Sequence, residues 1–242
     1  IAEDGVRNTL YVVENPIDIQ ELIRLFKAVP AFYIADGHHR CAGAMRVADQ
    51  MEKATGAKDL AAEYEYFQAV IFPDNMMEIL DYNRLVADLA GHSVESFLQA
   101  VGEKFAVKSV QKAYHPEARH SFGMYLGGLW YELKAKEGSF DPQDPIASLD
   151  VSILQDNLLA PILKIGDPRT DKRIGFVGGI RGLAELERKV DSGKFAVAFS
   201  MYPTLMQEVM TIADAGKIMP PKSTWFEPKL RDGIVVHLLE DL

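Results

Sequence analysis

The sequence predicts an α/β or α+β fold in which a mixed sheet is flanked by helices. Short apolar and β-branched runs alternate along the chain with longer segments of helical periodicity. Such mixing of strands and helices is typical of these two classes. The chain has 242 residues, 48% of them hydrophobic and 25% charged, with no internal repeat. This length is enough to bury the core of one large domain or two small ones.

The predicted strands are runs of apolar, aromatic and β-branched residues bounded by turn-forming residues. They cover residues 9–13, 32–35, 64–72, 122–126, 129–134, 174–177, 195–199 and 233–239. Gly127 and Gly128 separate two of these strands and predict a β-hairpin, because two glycines suit the tight turns that join antiparallel strands. Residues 217–230 are predicted to form a long irregular loop.

The predicted helices carry apolar residues at three- and four-residue spacing. They cover residues 17–27, 39–54, 148–164, 183–190 and 205–215, and two more begin near residues 81–84 and 93–96. Residues 142–145 contain two prolines and resemble a linker. We therefore expect two parts, residues 1–141 and 142–242, which can also pack as one unit.

Composition excludes several classes of partner. The net charge is −9 and no basic patch stands out, so the sequence predicts no nucleic-acid partner. A small phosphorylated ligand in one pocket remains compatible with this charge. No segment approaches the roughly 20 apolar residues of a membrane helix, so no membrane partner is predicted either. A homo-oligomer is left open.

The beginning of the sequence and its single cysteine predict the cellular compartment of the protein. Cys41 is the single cysteine, so no intrachain disulfide can form, which fits a reducing cytoplasm. No signal peptide opens the chain. The sequence therefore predicts a cytoplasmic protein. Its first residue is Ile1 rather than methionine, and we expect a fragment that lacks an N-terminal segment.

The strongest functional signal is Asp-Gly-His-His-Arg at residues 36–40, between a predicted strand and a predicted helix. We call this the 36–40 turn. The first turn of a helix leaves backbone N–H groups unpaired and carries the positive end of the helix dipole, so it can bind phosphate. The guanidinium of Arg40 is positively charged and can bind phosphate through two hydrogen bonds, and Gly37 lets the backbone approach a ligand. Asp36, His38 and His39 are candidate catalytic groups, and Gly37, His39 and Arg40 are candidate phosphate ligands.

Two other interpretations of the 36–40 turn are less specific. The first is an exposed turn in which Asp36 caps the helix and the histidines face solvent. The second is a metal site, but adjacent residues of a helix point about 100° apart and rarely bind one ion together. No paired-cysteine or His-Glu-x-x-His pattern completes a zinc site. We therefore predict no metal ligands.

Further candidate groups lie outside the turn. Lys222, Ser223 and Thr224 belong to a proline-containing stretch within the long predicted loop, and such loops are often functional. Their order resembles the end of a phosphate-binding P-loop, but prolines stand where its glycines would be, so we exclude a P-loop. Asn83 and Arg84 are candidate phosphate or nucleotide ligands, with helix capping as the alternative.

Four stretches in order resemble the bacterial family called domain of unknown function 1015. They are Tyr-Ile-Ala-Asp-Gly-His-His-Arg at 33–40, Leu-Asp-Tyr-Asn-Arg at 80–84, Leu-Asp-Val at 149–151, and Met-Pro-Pro-Lys-Ser-Thr at 219–224 followed by Pro-Lys. The resemblance runs from about residue 5 to the C-terminus. Members of that family usually carry a further N-terminal region, so the resemblance implies that part of a site can precede this chain.

The 36–40 turn is also similar to the ParB/sulfiredoxin-like superfamily, especially its archaeal free-serine kinases, over residues 32–54. In that superfamily a strand-turn-helix holds nucleotide phosphates. This resemblance implies a ParB/sulfiredoxin-like core in residues 1–141, truncated at its N-terminus, and a C-terminal α/β part in residues 142–242. It also implies phosphate contacts by Asp36, His38, His39 and Arg40. The kinases place a catalytic carboxylate before the turn, for which Glu3, Asp4 and Glu14 are candidates.

Together the residues and the resemblances predict a nucleotide-dependent phosphotransferase that acts on a small hydroxyl-bearing metabolite. ATP or ADP with Mg²⁺ is the implied cofactor, and Lys222, Ser223 and Thr224 would close the site. Two alternatives remain: a nucleotide- or phosphate-binding regulatory module without turnover, and a metal-dependent hydrolase.

Overall fold

The structure is a computed structural model that describes residues 5–231 and 233–239. The chain divides into two compact units, Ile1–Gly37 and His38–Leu242. Glu3 and Asp4, two of the candidate carboxylates, lie outside the described residues.

The described part of the first unit, residues 5–37, contains one helix, α1 (Pro16–Lys27), as the sequence predicts. Asn15 caps it, because its Oδ1 accepts a hydrogen bond from the backbone N–H of Ile17 at 2.9 Å. The strands predicted at 9–13 and 32–35 are wrong, since neither run forms a strand. A strand is stable only when another strand pairs with it, and no pairing partner exists for either run among the described residues.

The second unit begins with α2 (His38–Thr55), which confirms the helix predicted after the turn. The strand predicted at 64–72 is wrong. That run is irregular, with short 3-10 turns at Glu63–Glu65 and Asp74–Met76 on either side of it. Its aromatic and β-branched composition indicates a capacity for strand formation, but no neighbouring strand is present to pair with it.

A six-stranded antiparallel sheet forms the centre of this unit and confirms the α+β alternative. After the short β1 (Glu78–Leu80) its strands are β2 (Tyr82–Val86), β3 (Phe105–Val110), β4 (Ser121–Leu126), β5 (Leu129–Ala135), β6 (Ile174–Gly178) and β7 (Val197–Met201). Their order is β3-β5-β4-β7-β2-β6. The predicted hairpin is confirmed, with Leu126 opposite Leu129. Strands from both sides of residue 142 lie in this one sheet, and the domain boundary proposed there stays a prediction.

Helices cover both faces of the sheet. They are α3 (Val94–Lys104), α4 (Asp150–Leu154), α5 (Leu183–Asp191) and α6 (Met206–Asp214), with α4 continuing into a π-helical turn at Gln155–Leu159. Alternate strand residues serve the two faces, as the two-residue period of a strand requires. Val86, Met124 and Phe199 join the core with α3, α4 and α6, whereas Leu85, Tyr125 and Ala198 pack with α5.

Two further predictions are wrong. Residues 81–84 do not begin a helix, because most of them belong to β2, which pairs with β6 on one side and β7 on the other. Residues 233–239 do not form a strand. The last strand of the described residues is β8 (Trp225–Glu227), inside the predicted loop, and it pairs with β1 in a separate two-stranded sheet. Among the described residues, no helix is long and apolar enough to cross a membrane.

Candidate functional site

The 36–40 turn contains one residue with a left-handed backbone conformation, Gly37. Its φ of +85° lies in the left-handed region, which glycine adopts without the strain that a side chain would cause. Its N–H donates a hydrogen bond of 2.8 Å to Asp36 Oδ1. Asp36 and Gly37 belong to the first unit and the remaining residues of the turn to the second. That all five act as one site therefore stays a prediction.

The first turn of α2 begins at His38 and presents His38, His39 and Arg40 as exposed side chains. No acidic residue lies in this turn. The backbone N–H groups of a first helical turn have no partner within the helix, and the helix dipole adds positive potential there. This end of α2 therefore has the charge and the donors that an anion requires.

The structure brings together two stretches that the sequence singles out, β2 and residues 219–224, which we call the 219–224 loop. Arg84 of β2 is only 4% exposed. Its guanidinium donates one hydrogen bond to the carbonyl of Tyr82 and another, of 2.9 Å, to the carbonyl of Lys222. It also lies 5.8 Å from the centre of the Phe176 ring. Arg84 therefore fixes the loop against the sheet.

Arg84 stays charged although it is buried. Burial lowers the pKa of its guanidinium to about 10, which is still well above neutral pH. No carboxylate of the described residues lies within ion-pair distance of Arg84. Carbonyl oxygens and the Phe176 ring satisfy the donors without cancelling the charge. A net positive charge therefore lies directly beneath the 219–224 loop.

The three candidate ligands in the 219–224 loop differ in exposure. Lys222 is exposed, has a φ of +58°, and holds its ammonium 5.5 Å from the centre of the Tyr82 ring. Ser223 is buried, and its hydroxyl donates to the carbonyl of Pro220 at 2.6 Å. Thr224 is half-buried. Lys222 thus offers a cation at the surface, whereas the Ser223 hydroxyl donates its hydrogen within the loop.

Asn83 is fully buried and uses both ends of its amide within the protein. Its Oδ1 accepts a hydrogen bond from the N–H of Met201 at 2.9 Å, and its Nδ2 donates to the carboxylate of Asp81. Gly179 packs against the same carboxylate so closely that a Cβ there would lie 1.9 Å from Asp81 Oδ1. Asn83 and Gly179 therefore hold Asp81 in a fixed orientation.

Asp81 in turn pairs with a histidine. Nε2 of His115 lies 3.6 Å from Asp81 Oδ1, and Nδ1 of the same ring lies 2.9 Å from the carbonyl of Pro116. The interaction with Asp81 raises the pKa of His115 above its ordinary value, and partial burial opposes this change. The pair has the form of a carboxylate-oriented imidazole, which can accept and release protons near neutral pH.

The sequence model of a family described as a protein of unknown function, DUF1015, matches residues 1–152. This match covers more than half of the 242 residues. The chain belongs to the DUF1015 family. The matched segment includes the 36–40 turn and Arg84, whereas the 219–224 loop lies beyond it. The link between the 219–224 loop and the DUF1015 family therefore stays a prediction.

Solved structures similar to this DUF1015 chain include free serine kinases and a hypothetical protein. A free serine kinase in complex with AMP is 13% identical, with 88% of this chain and 81% of the kinase chain covered and a TM-score of 0.43. A conserved hypothetical protein from Pyrococcus furiosus is 16% identical, with coverages of 82% and 71% and a TM-score of 0.44. The chain spans 66% of the length of a point mutant of a free serine kinase with AMP, at 14% identity and a TM-score of 0.41. No curated protein sequence matched the chain.

No three histidine, cysteine, aspartate or glutamate side chains in the described part of this DUF1015 chain come together as a metal site would require. The Asp81–His115 pair is a group that the sequence analysis missed. Its members are 34 positions apart, and His115 shows no pattern in the sequence that would distinguish it from a surface histidine. Only the approach of its loop to the start of β2 brings the two together.

Asp81→Asn is expected to lower the pKa of His115 toward the ordinary histidine value, because the substitution removes the negative charge that favours the imidazolium. In the unmodified protein, this pairing stabilises the fold fully below the pKa of an unfolded histidine. The contribution is lost as the pH rises through the higher folded-state pKa. Titration of the histidine ring signals by NMR measures the shift. An unchanged His115 titration curve in Asp81→Asn would contradict the assignment.

Proposed function

We propose that this chain binds the phosphate groups of a nucleotide at the first turn of α2 and acts as a phosphotransferase-like protein on a small hydroxyl-bearing metabolite. One observation carries the proposal. The helix begins at His38, so N–H groups that have no partner within the helix coincide with three exposed basic or titratable side chains and no acidic one in the first turn.

Each residue of the turn has a chemical role in this proposal. Arg40 binds phosphate oxygens through its planar guanidinium. His38 and His39 donate hydrogen bonds, or a proton, to phosphoryl oxygens. Asp36 precedes them in the chain and supplies the one carboxylate of the turn, which can accept the proton of a substrate hydroxyl. Phosphoryl transfer depends mostly on positioning and charge neutralisation, and these residue types provide both.

The 219–224 loop is a second source of positive charge in the proposal. Arg84 places a buried charge beneath the loop, and Lys222 carries an exposed one. Two positive charges so placed favour a polyanionic ligand over a neutral one. We assign Lys222 and Thr224 to ligand contact, whereas Asn83, Arg84 and Ser223 keep the surrounding backbone in place.

The residues of the turn fit ATP or ADP with Mg²⁺. The end of α2 offers donors suited to phosphate oxygens. Mg²⁺ in such sites is held by one or two carboxylates together with substrate phosphates, and Asp36 is the carboxylate nearest in sequence to the first residue of α2. When bound, the metal ion would neutralise charge on the phosphates.

Arg40→Ala is expected to weaken the binding of Mg²⁺–ADP by about 10- to 100-fold, because it removes charge-assisted hydrogen bonds of roughly 1.5–3 kcal/mol. Isothermal titration calorimetry measures this change. Arg46→Ala is the matched control, since Arg46 is also exposed on α2 but lies nearly two turns further along. The proposal fails if Arg40→Ala and Arg46→Ala bind ADP equally well.

Detection of a phosphorylated product distinguishes a phosphotransferase from a regulatory module that binds nucleotide without turnover. The full chain is incubated with ATP, Mg²⁺ and a mixture of hydroxyl-bearing metabolites, and phosphorylated products are sought by mass spectrometry. A product that disappears in Arg40→Ala supports the phosphotransferase. Stoichiometric binding of nucleotide without product would replace it with the regulatory alternative.

A further inference from the structure

The six-stranded sheet ends in two edge strands, β3 on one side and β6 on the other. β6 pairs with β2 along one of its sides, and no strand of the described residues pairs with its other side. An edge strand presents a row of backbone N–H and C=O groups with which a further strand can pair. The question is therefore whether each edge is protected against such pairing.

The register between β6 and β2 shows which backbone groups of β6 face outward. Gly179 N–H donates to the carbonyl of Asp81 at 2.8 Å, just beyond one end of the paired strands. Ala87 N–H donates to the carbonyl of Arg173 at 2.9 Å, just beyond the other end. Hydrogen-bonded and non-hydrogen-bonded positions alternate along an antiparallel pair. The odd-numbered residues of β6 are therefore the ones that bond to β2.

The even-numbered residues of β6 direct their N–H and C=O groups away from β2. They are Ile174, Phe176 and Gly178. In the part of the chain that the structure describes, no backbone group pairs with these outward groups. The outer side of β6 thus offers a donor and an acceptor at every second residue, which is the pattern that an added antiparallel strand requires.

β6 has none of the features that usually prevent pairing at an edge. Natural edge strands carry lysines, prolines or inward-pointing charges for this purpose. The other edge strand, β3, contains Lys108 and is flanked by Lys104 and Lys112. β6 reads Ile-Gly-Phe-Val-Gly, without a charge or a proline, and Ile180 shortly after it is 65% exposed. The lysines protect one edge of the sheet, whereas the other edge is apolar and open.

The sequence of β6 is complementary to itself in antiparallel orientation. When two copies pair about Phe176, Ile174 of one copy lies opposite Gly178 of the other. In the same way Gly175 lies opposite Val177. Each β-branched residue thus faces a glycine, and the two Phe176 residues face each other. Aromatic cross-strand pairs stabilise a sheet, and no like charges oppose one another within this pairing.

Aromatic rings lie over both glycines of β6 on the two faces of the sheet. A Cβ at Gly178 would lie 2.6 Å from the ring of Trp225, and a Cβ at Gly175 would lie 2.9 Å from the ring of Phe195. Both rings are half-buried. The β-branched side chains of a paired strand, which lie opposite these glycines, would pack against the rings and cover them further.

We propose that the outer edge of β6 is a dimerisation surface, at which a second copy of this chain pairs in antiparallel orientation and joins the two six-stranded sheets into one. The two copies are related by a two-fold axis at Phe176, so the same surface serves both. Each β6 has one open side, and its use by the partner closes the assembly at two copies. Five residues a side form a small interface, so the dimer is reversible.

The charges at the ends of β6 are compatible with this dimer. Asp171 precedes the strand by three residues and Arg181 follows it by three, so antiparallel pairing brings Asp171 of one copy to the same end as Arg181 of the other. Arg173 already pairs with Asp88 at 2.5 Å. Lys172 is exposed, and its ammonium can face solvent.

Sedimentation equilibrium and amide hydrogen exchange of the full chain test the proposal together. We expect a reversible monomer–dimer equilibrium, with slower exchange of the N–H groups of Ile174, Phe176 and Gly178 as the protein concentration rises. The N–H groups of Gly175 and Val177 already bond to β2, so their exchange should depend less on concentration. A chain that remains monomeric at about 1 mM overturns the proposal, and so does a dimer without this protection.

Opposite charges at Phe176 provide a second test. Phe176→Lys and Phe176→Glu each place two like charges opposite one another, so each variant alone should be monomeric. A mixture of the two variants should dimerise again, because opposite charges then face each other. Ser109→Lys is the matched control, since Ser109 is exposed on β3, the other edge strand, and its change should leave the dimer intact.

Dimerisation of a folded Phe176→Lys variant on its own overturns the pairing about Phe176. Failure of two folded variants to dimerise when they are mixed overturns it as well. Circular dichroism shows whether the variants fold. If they do not, the concentration dependence of hydrogen exchange in the unmodified chain decides the matter.

Discussion

Gly123→Ala is expected to destabilise the protein by about 3 kcal/mol or more, because the added methyl group has no room. A Cβ at this position would lie 2.2 Å from Ser200 Oγ and 2.4 Å from the carbonyl oxygen of Tyr114. These two atoms are themselves joined by a hydrogen bond of 2.7 Å. Gly123 lies in β4 between β5 and β7, so the backbone cannot move away without disturbing the ladders on both sides.

Gly102→Ala is the matched control for that substitution. Gly102 lies in α3, and a Cβ there would meet nothing within 4 Å. Alanine is the better helix former, so this variant is expected to be more stable by about 0.5–1 kcal/mol. Urea unfolding of the two variants and the unmodified chain measures both effects. Equal midpoints for Gly123→Ala and the unmodified chain would show that β4 has room for a side chain.

Asp150→Asn is expected to change how stability depends on pH. The pKa of Asp150 is raised by burial from 3.8 to about 7, so the folded state holds this proton more tightly than the unfolded state. Its contribution is fully present below the unfolded value and is lost as pH rises through about 7. The stability lost across that window is on the order of 4 kcal/mol. Asparagine does not ionise, so this loss should be absent from the variant.

The measurement is the free energy of unfolding of both proteins between pH 4 and pH 9 in urea. The difference between the two curves isolates Asp150 from carboxyl groups that act in the opposite direction, such as Asp88, whose pKa is lowered by Arg173. Asp156→Asn serves as the control, because burial raises the pKa of Asp156 less than that of Asp150, so the curve should change less. Parallel curves for Asp150→Asn and the unmodified chain would contradict the burial effect.

The helices and the hairpin could be predicted from the sequence because their signals are local. Pro16 and an apolar stripe define α1, and two glycines define the turn between β4 and β5. The strands expected at 9–13, 32–35 and 64–72 had the right composition, but composition does not identify a pairing partner. The polar run at residues 81–84 suited a helix start. It lies in a strand because distant groups, including the Lys222 carbonyl 138 positions away, satisfy its side chains.

In the candidate site, too, the local features could be predicted from the sequence, whereas the tertiary contacts could not. The 36–40 turn was recognisable because its five residues are contiguous, and the helix that follows it is confirmed. The contact between Arg84 and the 219–224 loop could not be predicted, because it depends on the tertiary fold and joins residues 138 positions apart. The Asp81–His115 pair was missed for the same reason, since its two residues are 34 positions apart. Neither residue is distinctive in its own stretch, and the pair exists only because the loop of His115 reaches the start of β2.

The buried side chains are confined to one part of the chain, which separates the core from the first turn of α2. Every buried side chain of the described residues falls between Asp81 and Phe226, and α2 contributes none. The first turn of α2, which the proposed function assigns to phosphate binding, therefore lies outside the stretch of the chain that supplies the buried core. Single or combined substitutions at His38, His39 and Arg40 therefore remove no side chain from the buried core. Loss of binding in such variants would report on recognition alone, since the thermal unfolding of the sheet and its helices should be unaltered.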